Sequence, residues 1–517
     1  MRQQRWSHAV VFGRCTVVLL VVGLLLSGAV PYVGGSAQPA LSYLVLGRDP
    51  GAAGAIAAGS AVRAAGGRLV REYPQIGVAL GYGSGTDFVA RVRSAPGVLG
   101  AGATRTAPLP DAGTGLGGNA AGVPQPPTPA STAHAAARGD AARGGVAGGD
   151  AGPARGPADD IPAAPDPHGR QQWNQRMVTV LAGARGRAAA ALASSLHGVV
   201  VAVLDSGVDD THPDLRGAVD PNRSAACVDG TPDTRPGAWR PDPSVGESGH
   251  GTHVSGIIGA NRAGDGVAGV AAGVRIAAVR LLGSAGQYYG ENLVCGFLWA
   301  ADHGARVINN SYFADPWKYN CPEDPDQAAV TAAVGRAVAY AQSRGAVVVA
   351  SAGNDAQDLG AARTDDRSPN DRPQGVAPRT RRLGPECVRL PGGLPGVLDV
   401  TAVDADGSLA GYSNWGQRRV QLAAPGGDPD GGTDQAVVSD WPGGGYAALA
   451  GTSMAAAHVS AAAAVEAALH PAAGSAELAR LLEQSALPMD CPSGQVGGSG
   501  CPGAAYYGYG LVERPTQ

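Results

Sequence analysis

The sequence is short of lysine and of charge in general. Among 517 residues Lys318 is the only lysine, charged residues make up 16%, and the net charge is -4 at pH 7. No basic stripe and no acidic tail occurs, so we expect no nucleic-acid partner. Hydrophobic residues still reach 44% of the chain, which is enough for a real core and excludes wholesale disorder.

Long apolar runs are also scarce, and the one near the start of the chain is short. Arg2, Arg5 and Arg14 precede an apolar run at residues 16–26, and small residues follow up to Ala37. This order is typical of a secretory signal peptide, which we place at residues 1–37. The run is short for a bilayer helix of about 20 residues, so we expect a secreted protein. An uncleaved segment that anchors the protein at the cell surface is the alternative.

Cysteine is infrequent, and no C-x-x-C spacing occurs, which argues against a thiolate metal site. Removal of the signal would leave six cysteines, an even number that suggests disulfides in an exported chain. Sequence alone leaves about 15 pairings open. Our preferred set is Cys491 with Cys501, Cys227 with Cys295, and Cys321 with Cys387.

Composition divides the remaining chain into three parts. Residues 40–104 alternate short apolar runs with two helical stretches, a pattern that predicts a small α+β unit. So small a unit buries little surface alone, so we expect it to dock on a larger body. Residues 105–168 are mostly Ala, Gly and Pro and predict a flexible linker. Residues 169–517 then form the third and largest part.

The large part alternates uninterrupted apolar runs with Ala-rich helical stretches. The runs lie at residues 199–204, 274–281, 306–309, 346–350 and 397–403. Strands that are apolar on both faces and separated by helices predict an α/β fold with a parallel sheet covered on both sides. Ligand sites in such sheets gather at the carboxyl ends of the strands, where Asp205, Asn310 and Asn354 stand.

Three separated side chains could together perform acyl transfer. Asp205 ends the first apolar run, where we expect it to be held rigidly but not deeply buried. His250 opens one helical stretch and Ser453 opens another. Acyl transfer needs a nucleophile, a base, an anion that orients the base, and donors for the oxyanion. The backbone N–H at a helix start and the Asn354 amide could supply those donors.

Four segments carry a family resemblance: V-A-V-L-D-S-G-V-D, G-H-G-T-H-V-S-G, V-V-V-A-S-A-G-N-D and G-T-S-M-A-A-A-H-V. They resemble the signatures of the subtilisin family of serine peptidases. The resemblance implies a three-layer subtilisin-like fold preceded by a small α+β prodomain. It implies that Asp205 orients His250, that His250 is the general acid and base, that Ser453 is the nucleophile, and that Asn354 completes the oxyanion hole.

The same resemblance implies further properties. Substrates would be proteins or peptides, and residues 40–104 would be an inhibitor-like prodomain that acts as intramolecular chaperone and is removed on maturation. Substrate-binding positions would be Ser311, Tyr312, Phe313, Ser351 and Gly353. No cofactor and no metal would be required for catalysis.

The chain departs from the family pattern at three places. Phe313 stands where the family usually has Gly, so we expect a narrowed pocket for the residue before the cleaved bond. Ala457 replaces the usual Pro, which should alter rigidity more than chemistry. Ala263 stands in a loop that holds calcium in many relatives, at a position where a side-chain ligand is expected, so a structural calcium is not supported.

An Arg- and Pro-rich insertion spans residues 363–389. We expect it to border the specificity pocket, and a solvated loop is the alternative. Two other functions compete with catalysis by Ser453. One is a pseudoprotease that only binds. The other is a zinc hydrolase using His250 and His253, although the H-E-x-x-H pattern is missing.

Overall fold

The structure is a computed structural model that describes residues 40–85, 87–109, 171–178, 187–246, 248–262, 264, 266–372, 376–491 and 503–513. The predicted signal peptide, nearly all of the predicted linker, Ala263 and Cys501 lie outside these residues. Within the described part of the chain, no helix is both long enough and apolar enough to cross a membrane.

The described part of the chain forms strands in four sheets. Their bounds are β1 Ala40–Gly47, β2 Arg68–Tyr73, β3 Val78–Ser84, β4 Val98–Ala103, β5 Val200–Asp205, β6 Ala225–Ala226, β7 Arg275–Arg280, β8 Val307–Asn310, β9 Val347–Ser351, β10 Arg363–Asp365, β11 Arg381–Leu383, β12 Val397–Val403, β13 Leu422–Pro425, β14 Val437–Trp441 and β15 Gly445–Leu449.

The described helices are α1 Ala52–Ala64, α2 Phe88–Ser94, α3 Trp173–Val178, α4 Arg187–Leu196, α5 His250–Gly259, α6 Gly290–Asp302, α7 Pro325–Ser343, α8 Thr452–Leu469, α9 Ser475–Ser485 and α10 Ala504–Tyr507. The ends of α8 agree with the sequence prediction of a helix opening around Ser453 and running to Leu469.

A seven-stranded parallel sheet forms the centre of the large part, with strand order β13-β12-β9-β8-β5-β7-β6. Successive side chains of a strand point to opposite faces. Val201 and Val203 of β5 accordingly pack in the core formed with α5 and α8, whereas Ala202 and Leu204 pack in the core formed with α6 and α7. The α/β class and the three-layer arrangement are therefore confirmed.

The N-terminal strands and helices form a separate small α+β unit with its own sheet. Its antiparallel strand order is β2-β3-β1-β4, and α1 and α2 pack on one face. Successive side chains of β1 point to opposite faces of this sheet. Tyr43 and Val45 pack in the core that the sheet forms with α1 and α2, whereas Leu44 and Leu46 lie on the face away from these helices.

The second face of this sheet docks on the large part, as its small size predicts. Leu44, Leu46 and Leu80 lie in one apolar cluster with Val294 of α6 and Val330 of α7. Burial on this face removes apolar surface that the small unit could not cover alone.

Polar contacts fix the register of the docked unit. Arg93 donates to Asp326 at the start of α7 over 2.7 Å, and the Ala103 N–H donates to the same carboxylate over 3.0 Å. Gly102 is needed between them, since a Cβ there would lie 2.3 Å from the Asp326 carbonyl oxygen. On the other side of the sheet, the Tyr73 hydroxyl donates to the Gly230 carbonyl over 2.6 Å.

Two of the preferred disulfide pairs are confirmed. Cys227 is bonded to Cys295, and Cys321 is bonded to Cys387. Cys491 is also in a disulfide, and Cys501, its expected partner, lies outside the described residues. The Cys321–Cys387 bond ties the end of the 363–389 insertion to the segment that leads into α7.

Candidate active site

The carboxyl end of β5 and the first turn of α5 bring Asp205 and His250 together. His250 Nδ1 lies 2.8 Å from Asp205 Oδ1, which also accepts the Ser206 backbone N–H over 2.7 Å. A carboxylate only accepts, so Nδ1 carries the proton and Nε2 is left as the basic nitrogen of the neutral ring. Asp205 has no exposed surface. The expectation that it is not deeply buried is therefore wrong, because α5 and the sheet cover it.

Ser453 lies in the first turn of α8, which packs against α5. Its hydroxyl donates to the Ser311 carbonyl over 3.1 Å, and the Ser311 hydroxyl donates to the Ser453 carbonyl over 3.0 Å. A backbone N–H in a first helical turn has no acceptor within the helix and points along the axis toward the open end. Ser453 therefore carries both a buried hydroxyl and a backbone N–H of the first helical turn.

Thr452, the first residue of α8, orients the side chain of Asn354. Its Oδ1 accepts the Thr452 N–H over 3.0 Å and the Thr452 hydroxyl over 2.7 Å, which directs the amide NH2 away from these groups. The Gly353 N–H donates to Thr452 Oγ1 over 3.1 Å. Gly353 has a φ of 107°, and a Cβ there would lie 2.5 Å from Asn414 Nδ2, so only glycine fits this approach.

The predicted substrate-binding residues form two segments that flank Ser453. Ser311, Tyr312 and Phe313 follow β8, whereas Ser351 ends β9 and Gly353 lies two residues beyond it. Ser311 contacts Ser453 directly, and Gly353 contacts Thr452. Both segments therefore lie beside the first turn of α8, and their role in substrate binding stays a prediction.

Arg389 is a residue at this site that the sequence analysis did not single out. It is buried, and its Nη1 donates to the Tyr312 carbonyl over 3.2 Å and to the Ser351 carbonyl over 2.9 Å. The available signal was its setting between Val388 and Leu390, two apolar neighbours that are unusual for a solvated arginine. The end of the 363–389 insertion thus borders both segments.

The second histidine of the predicted α5 motif has a different environment from His250. His253 Nε2 lies 3.1 Å from the Val437 carbonyl and 3.0 Å from the Ala447 carbonyl, so this nitrogen carries the proton. Burial lowers the pKa of His253 to about 3, which keeps the ring neutral. Among the described residues, neither His250 nor His253 belongs to a cluster of three or more potential metal ligands.

Two clusters of potential metal ligands occur among the described residues. In the first, Cys321 and Cys387 are consumed by their disulfide, so no thiolate remains. The second consists of His212, Asp214 and Asp440, all buried. Burial and the neighbouring Asp214 carboxylate raise the pKa of Asp440 to about 9, so Asp440 is protonated at neutral pH.

We expect Asp440→Asn to stabilise the protein at alkaline pH. The ordinary pKa of 3.8 applies to Asp440 in the unfolded chain, and the folded pKa is about 9. Between these values only the folded state holds the proton, so stability falls as pH rises. Asparagine is neutral in both states and removes this loss, which should raise the free energy of unfolding by about 2 kcal/mol or more at pH 8.

The measurement is urea unfolding at pH 5 and pH 8 in a Ser453→Ala background, which prevents self-digestion. Asp434→Asn, an exposed residue before β14, is the control and should leave stability unchanged. A destabilised Asp440→Asn at both pH values would contradict a protonated Asp440 in the folded state.

A cavity of about 550 Å³ opens beside Asn354. Its walls are predominantly acidic, with only Lys318 and Arg367 as cations. The acidic lining residues are Asp355, Asp365, Asp366, Asp404, Asp428 and Asp430. This cavity offers room for a peptide segment on one side of the predicted oxyanion position.

Comparison with known proteins gives one family. The Peptidase_S8 (Subtilase family) profile matches residues 197–510. Fervidolysin from Fervidobacterium pennivorans is 32% identical over 307 residues, which is 56% of this chain and 37% of that protein. Subtilisin Savinase from Lederbergia lenta is 31% identical over 291 residues, 56% of this chain and 83% of that protein. The chain thus spans well under half the length of fervidolysin.

Solved structures agree on the fold. The epidermin leader peptide processing serine protease of Staphylococcus aureus matches with a TM-score of 0.61 at 20% identity, covering 92% of this chain and 97% of that one. The fervidolysin structure matches with a TM-score of 0.57 at 23% identity, covering 93% of this chain and 62% of that one. Because the family profile covers more than half of the sequence, the chain belongs to the subtilase family of serine peptidases.

Proposed function

We propose that this protein is a secreted serine endopeptidase that hydrolyses peptide bonds through an acyl-enzyme on Ser453. The observation that carries the proposal is the 2.8 Å contact between Asp205 and His250, beside a helix whose first turn carries Ser453. Membership in the subtilase family supports the same reaction. The order Asp, His, Ser along the chain is also the subtilisin order.

The proposed reaction begins with proton transfer. The Ser453 hydroxyl turns from the Ser311 carbonyl toward His250 Nε2, gives up its proton and attacks the substrate carbonyl. The Asp205 carboxylate stabilises the imidazolium that forms and keeps the Nδ1 proton in place. His250 then donates its proton to the leaving amine, and water enters by the same route to release the acyl group.

The charge that develops on the substrate oxygen needs donors in place before reaction. The Ser453 backbone N–H and the Asn354 amide NH2 are the proposed pair. The two hydrogen bonds from Thr452 hold the Asn354 Oδ1 and so fix the direction of its NH2. A donor fixed in advance costs no reorganisation when the charge appears.

A fluorophosphonate probe tests the proposal directly. The processed protein should be labelled at Ser453, as located by peptide mass spectrometry, and should digest casein. Labelling at no residue together with no digestion would reject catalysis and favour the pseudoprotease. Activity abolished by a chelator, with Ser453 unlabelled, would favour a metal mechanism instead.

We propose that residues 40–104 act as an inhibitory prodomain removed by self-cleavage. The tail that follows β4 supports this role, because it lies beside the candidate site. Arg105 pairs with Glu291 of α6 and lies 4.0 Å from the centre of the Tyr289 ring, while the Ala107 N–H donates to Asp371 over 3.0 Å. Tyr288, the neighbour of Tyr289, stacks on Tyr312 with ring centres 4.8 Å apart.

Arg105→Ala should weaken this inhibition. The side chains of Arg105 and Glu291 are 8% and 1% exposed, so loss of the cation leaves a buried carboxylate without its charge partner. Truncating one member of such a pair costs about 2–5 kcal/mol, which predicts at least 10-fold weaker inhibition. We would follow peptidase activity during maturation of the full-length chain, with fluorophosphonate labelling as the measure of competent enzyme.

The matched control is Arg63→Ala, since Arg63 lies on the solvent side of α1 and pairs with Glu72 of the same unit. Activity of the Arg105 variant should appear earlier than that of this control. Equal time courses would mean that the tail contact does not contribute to inhibition.

The proposal also includes export through a signal peptide and catalysis without a cofactor. Residues 1–37 carry the features of a signal peptide, and N-terminal sequencing of protein from the culture medium would locate the cleavage sites. No cofactor is proposed for catalysis, because the proposed reaction uses only side chains and backbone donors of this chain.

A further inference from the structure

The segment that follows β4 leaves its own sheet for three residues. The Thr104 N–H donates to the Ser42 carbonyl over 2.9 Å. The Leu109 N–H donates to the Ala40 carbonyl over 2.8 Å, so both ends of the segment remain attached to β1. Residues 105–107 between these ends donate their hydrogen bonds to the large part of the chain instead. We call residues 105–107 the tail loop.

Arg105 of the tail loop lies in a pocket whose charge matches its own. Its guanidinium pairs with the Glu291 carboxylate and lies 4.0 Å from the centre of the Tyr289 ring. The Asp229 carboxylate is 3.9 Å from the same guanidinium. A flat cation that stacks on an aromatic face and meets carboxylates at its edge is better matched by arginine than by lysine.

Asp371 binds the backbone next to this arginine. The Thr106 N–H donates to Asp371 Oδ2 over 2.7 Å, and the Ala107 N–H donates to the same oxygen over 3.0 Å. The Thr106 hydroxyl donates to Oδ1. Two of these three hydrogen bonds use backbone N–H groups, which every residue except proline offers. Asp371 can therefore hold peptides of many sequences, while the neighbouring pocket selects for arginine.

The tail loop does not use the full binding capacity of the pocket. Glu291 is completely buried, and its Oε2 has no hydrogen-bond partner among the described residues. Arg105 Nε also has none within the same part of the chain. A carboxylate and a guanidinium can form two parallel hydrogen bonds. A substrate arginine that is not tied to β1 has the freedom to bind Glu291 through both oxygens.

The residues that cover Glu291 belong to the unit that maturation would remove. A Cβ on Gly230 would lie 2.5 Å from the Leu80 side chain, 2.9 Å from the Tyr73 hydroxyl and 3.2 Å from Glu291 Cβ, so these groups lie together. Leu80, Tyr73 and Arg105 all precede the linker. Cleavage beyond residue 109 and release of this unit would therefore uncover the Glu291 carboxylate and leave the pocket acidic and open.

The pocket lies close to the candidate active site. Tyr288, which precedes the tyrosine of the pocket, stacks on Tyr312, and its hydroxyl lies 3.5 Å from Asp205 Oδ1. Tyr312 follows Ser311, whose carbonyl accepts the Ser453 hydroxyl. Each residue of an extended peptide spans about 3.3–3.6 Å. A substrate that extends from Ser453 along these residues therefore reaches the pocket after a few residues.

The order of the precursor indicates the direction in which a peptide binds. Arg105 precedes the linker in which self-cleavage is proposed, so the bond that is cut lies on the carboxyl side of this arginine. A substrate bound in the same direction carries its arginine on the amino side of the cleaved bond.

We propose that Glu291, Tyr289 and Asp371 form a second recognition site of the processed enzyme, which binds an arginine of the substrate several residues before the cleaved bond. In the precursor the tail loop occupies this site. The inference rests on the proposed function, because it requires removal of the prodomain and cleavage at Ser453. The acidic cavity beside Asn354 is the competing location for a basic side chain.

The test uses internally quenched peptides and the processed wild-type enzyme. The peptides share one sequence, in which arginine occupies one position at a time from the second to the eighth residue before the cleaved bond, and glutamine at that position is the neutral comparison. At the position that reaches Glu291, kcat/KM should be about 10- to 100-fold higher with arginine, the effect of a hydrogen bond between charged groups. Because the pocket is separate from the reacting atoms, the difference should lie mainly in KM.

Glu291→Gln should bring this ratio to about 1. Glu323→Gln, a change at an exposed glutamate before α7, is the matched control and should keep the wild-type ratio. A ratio that Glu291→Gln leaves unchanged would place the arginine elsewhere, such as in the cavity beside Asn354, and would reject the inference.

A synthetic peptide of residues 103–109 provides a measurement that does not depend on the folding of a variant. It should inhibit the processed wild-type enzyme competitively, and Arg105→Gln within the peptide should weaken this inhibition at least about 10-fold. Equal inhibition by the two peptides would contradict recognition of the arginine.

The outcomes separate this inference from the proposed function. A ratio of about 1 at every position, with Ser453 labelled by fluorophosphonate and the peptides cleaved, would reject the recognition site and leave the peptidase proposal standing. Absence of labelling with no peptide cleaved would reject the peptidase, and the inference with it.

Discussion

Ser453→Ala should lower peptide hydrolysis by about 10⁶-fold, the order found when a subtilisin loses its nucleophile. The hydroxyl is the group proposed to form the acyl bond, and alanine offers no substitute. The same variant should accumulate as the unprocessed precursor, because self-cleavage needs the same nucleophile. Immunoblotting of the secreted chain and a peptide assay measure the two effects.

Ser460→Ala is the matched control for this prediction. Ser460 lies on the same helix α8, is also buried, and its hydroxyl donates to Asn309 over 2.8 Å rather than to a group of the site. It should reduce stability but keep processing. Processing of Ser453→Ala at the normal rate, in a host that lacks helper proteases, would show that another enzyme removes the prodomain.

The sequence predicted the elements of the candidate site well, because long local motifs specify them. The apolar run before Asp205 becomes β5, and His250 and Ser453 open α5 and α8 as predicted. In each case the positioning follows from chain order: a buried parallel strand ends, and the polar residue comes next. The alternating directions of the side chains along β1 likewise determine which of them face α1 and α2 and which face the large part of the chain.

Features that depend on distant partners were not predictable. Asp440 ends up against Asp214, and the sequence around it, V-V-S-D-W, shows only an apolar run containing one acid. Arg389 could be assigned to the insertion but not to its contacts with Tyr312 and Ser351, because both partners are far away in the chain. The depth of Asp205 follows from packing of α5 on the sheet, which no local pattern specifies.

Asp205→Asn should lower kcat by about 10⁴-fold, the order found when a serine protease loses the equivalent carboxylate. Its volume is almost unchanged, so the core around the completely buried Asp205 should survive. Loss of charge leaves no anion to stabilise the imidazolium. The amide can also donate to His250 Nδ1, which would favour the tautomer that carries its proton on Nε2, the wrong nitrogen for a base.

Asp209→Asn is the matched control, because Asp209 follows the same strand but its carboxylate accepts from Thr211 and Gly443. It should keep kcat within a few-fold of the wild type and change only stability. Two measurements separate chemistry from folding: kcat on a peptide substrate, and circular dichroism of each variant. A folded Asp205→Asn with near-normal kcat would show that another group orients His250. The role proposed for the Asp205 carboxylate would then be rejected.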